Sequence, residues 1–246
     1  MTEFSIAIAG RVIRICALHE YAKDFCANYL TEAAPDFSVE ICPEDIEFER
    51  MKSAREDEVE GIPQRHFPSD YLETLAIYRK IVEKMLDYNA FLFHGSAISV
   101  DGEGYLFTAK SGTGKSTHAR RWRKYFGERC VMVNDDKPLL LVQDDAVMIC
   151  GTPWDGKHRM STNIMVPLKG LVLLERGEVN EIKPVSSMVA LPLLLQQSYR
   201  PSNPVALTKT LNLLEQVMNK TGIYRLKCNM DPDSARVAYE GMNKKG

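Results

Sequence analysis

The chain has 246 residues, with 31 Lys plus Arg against 33 Asp plus Glu, a formal net charge of −2 and 45% hydrophobic residues. That balance leaves no electrostatic footprint for nucleic acid or an anionic membrane surface. No apolar run approaches the roughly 20 residues of a membrane span, and MTEF at 1–4 does not read as a signal-peptide start. The expectation is a cytoplasmic enzyme with one substantial core, or one core and a small appended lobe. Six Cys at 16, 26, 42, 130, 150 and 228 form no C-x-x-C pair. They read as reduced core cysteines, with neither zinc nor disulfides implied.

In chain order, residues 4–18 alternate apolar and polar positions in part and read as a strand or hairpin. Residues 22–30 read as a short helix, 37–42 and 46–48 as strands, and the highly charged 52–61 as an exposed loop. Over 70–88, Leu72, Leu75, Ile77, Ile81, Val82 and Met85 predict a helix with one broad apolar face, opened by a capping box of Asp70 and Glu73. Residues 1–88 are expected to be a small α+β part packed on a catalytic core spanning 89–246. No Gly/Ser or Pro linker separates them, so the first part could equally continue the core sheet.

The core opens with FLFHG at 91–95, which puts His94 near the start of a hairpin. Strands are expected at 97–100 and 104–108, joined by the tight turn Asp101-Gly102. AKSGTGKST at 109–117 then matches the phosphate-loop pattern G-x-x-x-x-G-K-[ST], with Ala109 in the first glycine position. Gly112 and Gly114 let the backbone turn and aim its N–H groups at phosphate oxygens. The expected nucleotide-binding set is Ser111, Gly112, Thr113, Gly114, Lys115, Ser116 and Thr117. Within it Lys115 reaches the β/γ-phosphates and the Ser116 hydroxyl can bind Mg²⁺. A helix over 116–126 adds its positive end to the same anion. The loop thus follows the second strand of a hairpin, whereas ordinary P-loop NTPases place it after the first strand of a parallel βαβ unit.

VMVNDD at 131–136 reads as a strand that delivers Asp135 and Asp136 together. One carboxylate suffices to hold Mg²⁺, and the second can act as a base towards a hydroxyl. Two adjacent carboxylates repel in a dry site unless a metal or Lys115 neutralises them. Alone, the pair would suit a solvated turn before Pro138; after a phosphate-loop helix the balance favours function. His94 alone would more often be a packed or surface residue.

Beyond the pair, 138–142 and 147–150 read as a hairpin, 171–174 and 179–185 as strands, and 187–198 as a helix interrupted by Pro192. An amphipathic helix over 204–219, a strand over 223–228 and a closing helix over 232–242 complete a mixed α/β sheet with helices on its faces. Two further segments could bind substrate. Trp154, Lys157 and Arg159 combine an aromatic face with two cations, or form a solvated basic turn around a packed Trp. Arg200 follows a helix end, where it serves either that helix's dipole or the site.

His94-Gly95, the hairpin, the SGTGKST loop and Asp135-Asp136 stand in the order and approximate spacing of the HPr kinase/phosphorylase catalytic domain, which the chain resembles over about residues 90–145. The loop also looks like that of ATP-dependent phosphoenolpyruvate carboxykinases, which share that fold. The resemblance implies a phosphoenolpyruvate carboxykinase-like P-loop kinase core. It implies Asp135 as general base, Asp136 and Ser116 on the Mg²⁺ side, Lys115 on the transferring phosphoryl group and His94 beside the acceptor or the base. The Leu-Glu-x-Arg-Gly-x-Gly signature is missing, and LERG at 174–177 is only an echo of it. GTPWDGK at 151–157 looks instead like the HPr-kinase-related proteins of anaerobic bacteria. HPr as substrate and phosphorylase activity are therefore not carried over.

The function expected is phosphoryl transfer from a Mg²⁺-nucleotide, ATP first, with ADP or pyrophosphate as other donors. The acceptor is a hydroxyl, slightly more in keeping with a small molecule than with a protein serine. The alternatives are a nucleotide-binding regulator without transfer activity and a protein-serine kinase acting on an HPr-like or peptide partner. A simple GTPase is disfavoured, because NKTG at 219–222 fails the guanine-binding pattern at its last position. Homo-oligomerisation is left open.

Overall fold

In the computed structural model, which describes residues 1–110, 112–229 and 231–243, the alternating run at the start of the chain folds as a hairpin. Strands β1 (Thr2–Ile8) and β2 (Arg11–Ala17) are antiparallel and joined through Ala9 and Gly10, both at positive φ. Alternate residues Phe4, Ile6 and Ile8 of β1 and Ile13, Ile15 and Ala17 of β2 are buried, as a period of two requires. Strand β3 (Phe37–Glu40) adds in parallel to β2. The short helix α1 (Tyr21–Phe25) precedes it, and α2 (Pro43–Glu60) and α3 (Ser69–Met85) follow. The chain divides into two compact units, Met1–Lys84 and Met85–Gly246.

Helix α2 corrects two expectations: it replaces both the strand at 46–48 and the charged loop at 52–61. It has almost no apolar periodicity, so its signals lie at its ends and in its charges. Cys42 caps it, Pro43 occupies the first turn, the Asp45 carboxylate accepts the Cys42 N–H, and Gly61 ends it in the left-handed conformation. Two of its acids are paired with α3: Arg79 donates to Glu49 and Asp45, and Lys80 donates to Asp45. The expected capping box of α3 is also absent. Glu73 is buried and its carboxylate accepts the N–H groups of Leu18 and His19 and pairs with the His19 ring.

In the second unit the described residues form one curled, mixed sheet. Its strands are β4 (Ala90–Leu92), β5 (Ser96–Val100), β6 (Glu103–Thr108), β7 (Cys130–Asn134), β8 (Leu139–Val142), β9 (Val147–Cys150), β10 (Met165–Arg176), β11 (Glu181–Pro184) and β12 (Gly222–Cys228). The order is β4-β8-β9-β10-β6-β5-β7, with β12 joining β10 and β11 joining β12. The long β10 makes the curl: Met165, Val166 and Pro167 pair antiparallel with β9, while from Leu168 it runs parallel to β6 and from Gly170 parallel to β12.

Alternation along β6 splits the core between the two faces. Tyr105 and Phe107 join Trp122 and Phe126 of α4 (Lys115–Phe126), with Ala235 and Ala238 of α7 (Ser234–Asn243). Leu106 joins the opposite cluster, with Leu194 of α5 (Ser187–Gln197) and Leu213, Leu214 and Val217 of α6 (Pro204–Lys220). The cysteines are free: Cys26, Cys130 and Cys150 are buried, Cys16 and Cys228 are half-buried, and Cys42 is exposed. No helix of the described residues is long and apolar enough to cross a membrane.

Candidate active site

Strand register decides which residues meet. Strand β6 ends at Thr108, directly before the phosphate loop. Strand β5 is antiparallel to β6, so its start, Ser96 with His94 and Gly95 before it, lies at that same edge of the sheet. Strand β7 is antiparallel to β5, which brings its end, Asn134 and the Asp pair, there as well. On the other side, β10 and β12 run parallel to β6 and end at Arg176 and Cys228. Across the edge the order is therefore Asp pair, His94 and Ser96, phosphate loop, Arg176, Cys228. At about 4.8 Å per strand, the Asp pair and the loop are about 10 Å apart at the backbone, within reach of a Lys and a carboxylate. Ligands of α/β sheets gather at such strand ends.

The hairpin forms as expected. Asp101 and Gly102 both take positive φ, the backbone of a tight primed turn. The loop turns with Gly112 at φ 73° and Gly114 at φ 118°, and a Cβ on Gly112 would meet nothing within 4 Å, so the backbone there is open to a ligand. Gly114 caps α4 without any side-chain capping bond, leaving the first-turn amides of Lys115, Ser116 and Thr117 facing outward from the helix start. Ser111 of the expected nucleotide-binding set lies outside the described residues. Lys115 folds back to donate to the Ala109 carbonyl at 3.3 Å. Burial lowers its pKa, and the charges of Asp136 and Asp135 oppose that shift, which puts all three in one electrostatic neighbourhood.

The two carboxylates have different partners. Asp135 is buried and its Oδ1 accepts the Ser96 hydroxyl at 2.6 Å. Asp136 Oδ1 lies 3.0 Å from Nε2 of His94. Burial pushes the Asp136 carboxyl up, but the His94 contact, Lys137 and Lys115 outweigh it and hold the group below its usual range. His94 is itself fixed at the backbone: its N–H donates to the Gln197 carbonyl and its carbonyl accepts the Thr108 hydroxyl.

Sequence reasoning missed the residue that holds the Asp turn. Asn134 is fully buried, and its Oδ1 accepts the N–H groups of Asp136 (2.8 Å) and Lys137 (2.7 Å). Its Nδ2 donates to the Thr152 carbonyl and hydroxyl, both at 3.0 Å, and to the Trp154 carbonyl at 3.4 Å. The turn and the segment from Thr152 are thus one hydrogen-bonded unit. The available signal was an Asn immediately before the turn, a residue type that bonds its own backbone two residues on. Ser96 offered only a polar residue inside an apolar run. Arg176 also went unread; its Nη2 donates to the Gly112 carbonyl at 2.8 Å, so the end of β10 steadies the phosphate loop.

The other expected binding residues fare differently. Trp154 is buried at 3% exposure, so its segment does not present an open aromatic face. Arg159 donates to the Pro153 carbonyl and lies 3.7 Å from Asp155, which ties it into its own loop. Lys157 and Arg200 are exposed and enter no hydrogen bond or ion pair among the described residues. Gly156, at φ 76°, packs on the Asp pair: a Cβ there would stand 3.3 Å from Cβ of Asp136. His118, in the first turns of α4, is structural. Burial takes its pKa down to about 3, so it is neutral, and its Nε2 accepts the Trp122 indole N–H.

The chain matches no protein-family model, and no curated protein matches it. Among solved structures it is similar to the Hpr(Ser) kinase/phosphatase from Coxiella burnetii, at 8% identity and a TM-score of 0.38, over 61% of this chain and 95% of that one. A likeness at that level carries no functional argument, which rests instead on the residues at the sheet edge.

Proposed function

We propose that the chain is a P-loop phosphotransferase that moves a phosphoryl group from a Mg²⁺-nucleotide to a hydroxyl acceptor. The observation that carries this reading is the convergence of Lys115, Asp135 and Asp136 at one sheet edge, each carboxylate with its own partner. A bare nucleotide binder has no use for a second, separately oriented carboxylate. The Asp136 carboxylate and the Ser116 hydroxyl are hard oxygen donors of the kind Mg²⁺ takes beside phosphate and water. No group of three or more His, Cys, Asp or Glu that could hold a metal occurs among the described residues, so the remaining ligands would come from phosphate and solvent. Bound there, Mg²⁺ would neutralise charge on the phosphates.

The chain's own residues supply the rest. The loop amides and Lys115 hold the phosphates. Asp135, oriented by Ser96, accepts the proton of the acceptor hydroxyl as its oxygen bonds to phosphorus and the donor's bridging P–O bond breaks. His94 keeps Asp136 ionised. The test is a metabolite screen for phosphorylated products with ATP, ADP and pyrophosphate as donors. Phosphorylation of a hydroxyl compound supports the reading. Tight nucleotide binding with no acceptor phosphorylated would replace it with a regulatory one.

A further inference from the structure

Two segments beside the Asp pair carry positive charge with no acids to balance it. No Asp or Glu occurs from Ala109 to Gly127, which holds the phosphate loop and α4, or from Gly156 to Leu174, which opens with the loop at 156–160. The whole chain has a net charge of −2, so this is a local excess. Arg120, Arg123 and Lys124 of α4 and the exposed Lys157 enter no ion pair among the described residues. We infer that the phosphoryl acceptor is a small anion, a hydroxyl compound that carries a carboxylate or phosphate group, held through that group by Lys157 and Arg123. This rests on the phosphotransferase reading above and names the class of its acceptor.

Contacts at both ends of the loop place the two cations. Gly156 packs on the Asp pair, where a Cβ would stand 3.3 Å from Cβ of Asp136 and 4.0 Å from the Asp135 carbonyl oxygen. Lys157 follows one Cα step of about 3.8 Å later. At the other end, Nη1 of Arg123 lies 3.2 Å from Sδ of Met160. The loop thus runs from the Asp pair to α4. Arg123 comes two helical turns after Ser116, so both lie on one face of α4. Arg121 faces the other way, and its Nη1 donates to the Asn229 carbonyl at 2.7 Å. Arg123 and Lys157 therefore stand on the side of the two carboxylates, while the phosphates have their own partners in the loop amides and Lys115. Arg159 is set apart from them by Asp155, 3.7 Å away. Asp135 and Asp136 alone would repel an anionic acceptor; the cations of Lys157 and Arg123 offset them and draw one in. Because Lys157 is one residue from the contact with Asp136, the anionic group lies close to the reacting hydroxyl, on the scale of a small compound and not of a protein surface.

The experiment offers the full chain, with ATP as donor, matched acceptor panels: neutral polyols, amino alcohols, hydroxycarboxylates, sugar phosphates, and dephosphorylated casein as an acidic protein. Products are read by mass spectrometry. The expected result is a product in the hydroxycarboxylate or the sugar-phosphate panel, and the panel tells carboxylate from phosphate. With that acceptor, Lys157→Ala and Arg123→Ala, shown to be folded by circular dichroism, should each raise KM about fivefold, with kcat and ATP affinity within about twofold of the parent. Lys157→Arg should keep the parent's KM, and the parent's KM should rise with salt more steeply than that of Lys157→Ala. Product only from polyols, amino alcohols or casein would overturn the inference and leave the phosphotransferase reading standing. An unchanged KM in both alanine variants would do the same. No product from any panel would remove that reading and this inference with it.

Discussion

His94 Nε2 lies 3.0 Å from Asp136 Oδ1, joining the approach to β5 with the end of β7. That contact leads the interactions that hold the Asp136 carboxyl down against burial, which pushes it up. A lowered folded pKa means that folding favours the carboxylate. Its contribution to stability is therefore present above the unfolded value and is lost as pH falls through the folded one. His94→Ala removes the contact, so Asp136 should titrate at higher pH. The Asp136 carboxyl carbon, followed by NMR through a pH titration, should change at higher pH in the variant than in the parent. A midpoint that stays in place would show that His94 does not govern Asp136.

Lys115→Ala and Asp136→Asn should each cost at least about 10² in Mg²⁺-nucleotide turnover, because each removes charge facing the phosphates. Steady-state turnover of both variants, with circular dichroism to show that they are folded, checks this. Parent-like turnover in either would remove the phosphate-loop assignment.

Asn134→Ala leaves the part-buried N–H groups of Asp136 and Lys137 without their acceptor. It should destabilise the second unit by about 0.5–1.5 kcal/mol for each hydrogen bond lost, since both groups are partly open to water. Thr152→Val is the milder test: it removes one hydroxyl that both accepts from Asn134 and donates to the Lys137 carbonyl. Both tryptophans, Trp122 and Trp154, lie in this unit, so their fluorescence in a urea titration reports its unfolding. An unchanged midpoint for Asn134→Ala would mean that the turn does not depend on the network.

Gly156→Ala puts a side chain at positive φ and a methyl 3.3 Å from Cβ of Asp136. The left-handed backbone costs about 1–2 kcal/mol for an L residue, and the methyl crowds the Asp pair. Turnover should fall about tenfold with ATP affinity nearly unchanged, since the phosphate loop is untouched. Parallel kinetics and isothermal titration would show this, and unaltered turnover would mean the segment yields without moving Asp136.

Much of the second unit was legible from local patterns. The hairpin carries an Asp-Gly turn and aromatic strands, the loop carries its glycines and lysine, and β7 ends in a visible pair of acids. Each of these signals lies within a few residues. Helix α2 was not legible, because ion pairs to Arg79 and Lys80 stabilise it in place of an apolar stripe. Ser96 and Arg176 were missed for a related reason: each acts through a partner that only strand register brings near. Asn134 carried a local turn signal, but its bonds to Thr152 and Trp154 come from the fold. Trp154 looked like a binding aromatic because burial cannot be read from one Trp in a Gly/Pro-rich segment.

The most direct measurement compares Asp135→Asn with the parent for nucleotide affinity and acceptor phosphorylation side by side. The amide keeps the size of the side chain and can still meet Ser96, but it cannot take the acceptor's proton. Nucleotide affinity should stay near that of the parent while transfer falls by about 10² to 10⁴, the usual cost of losing a general base. Transfer at the parent's rate in Asp135→Asn would contradict the account.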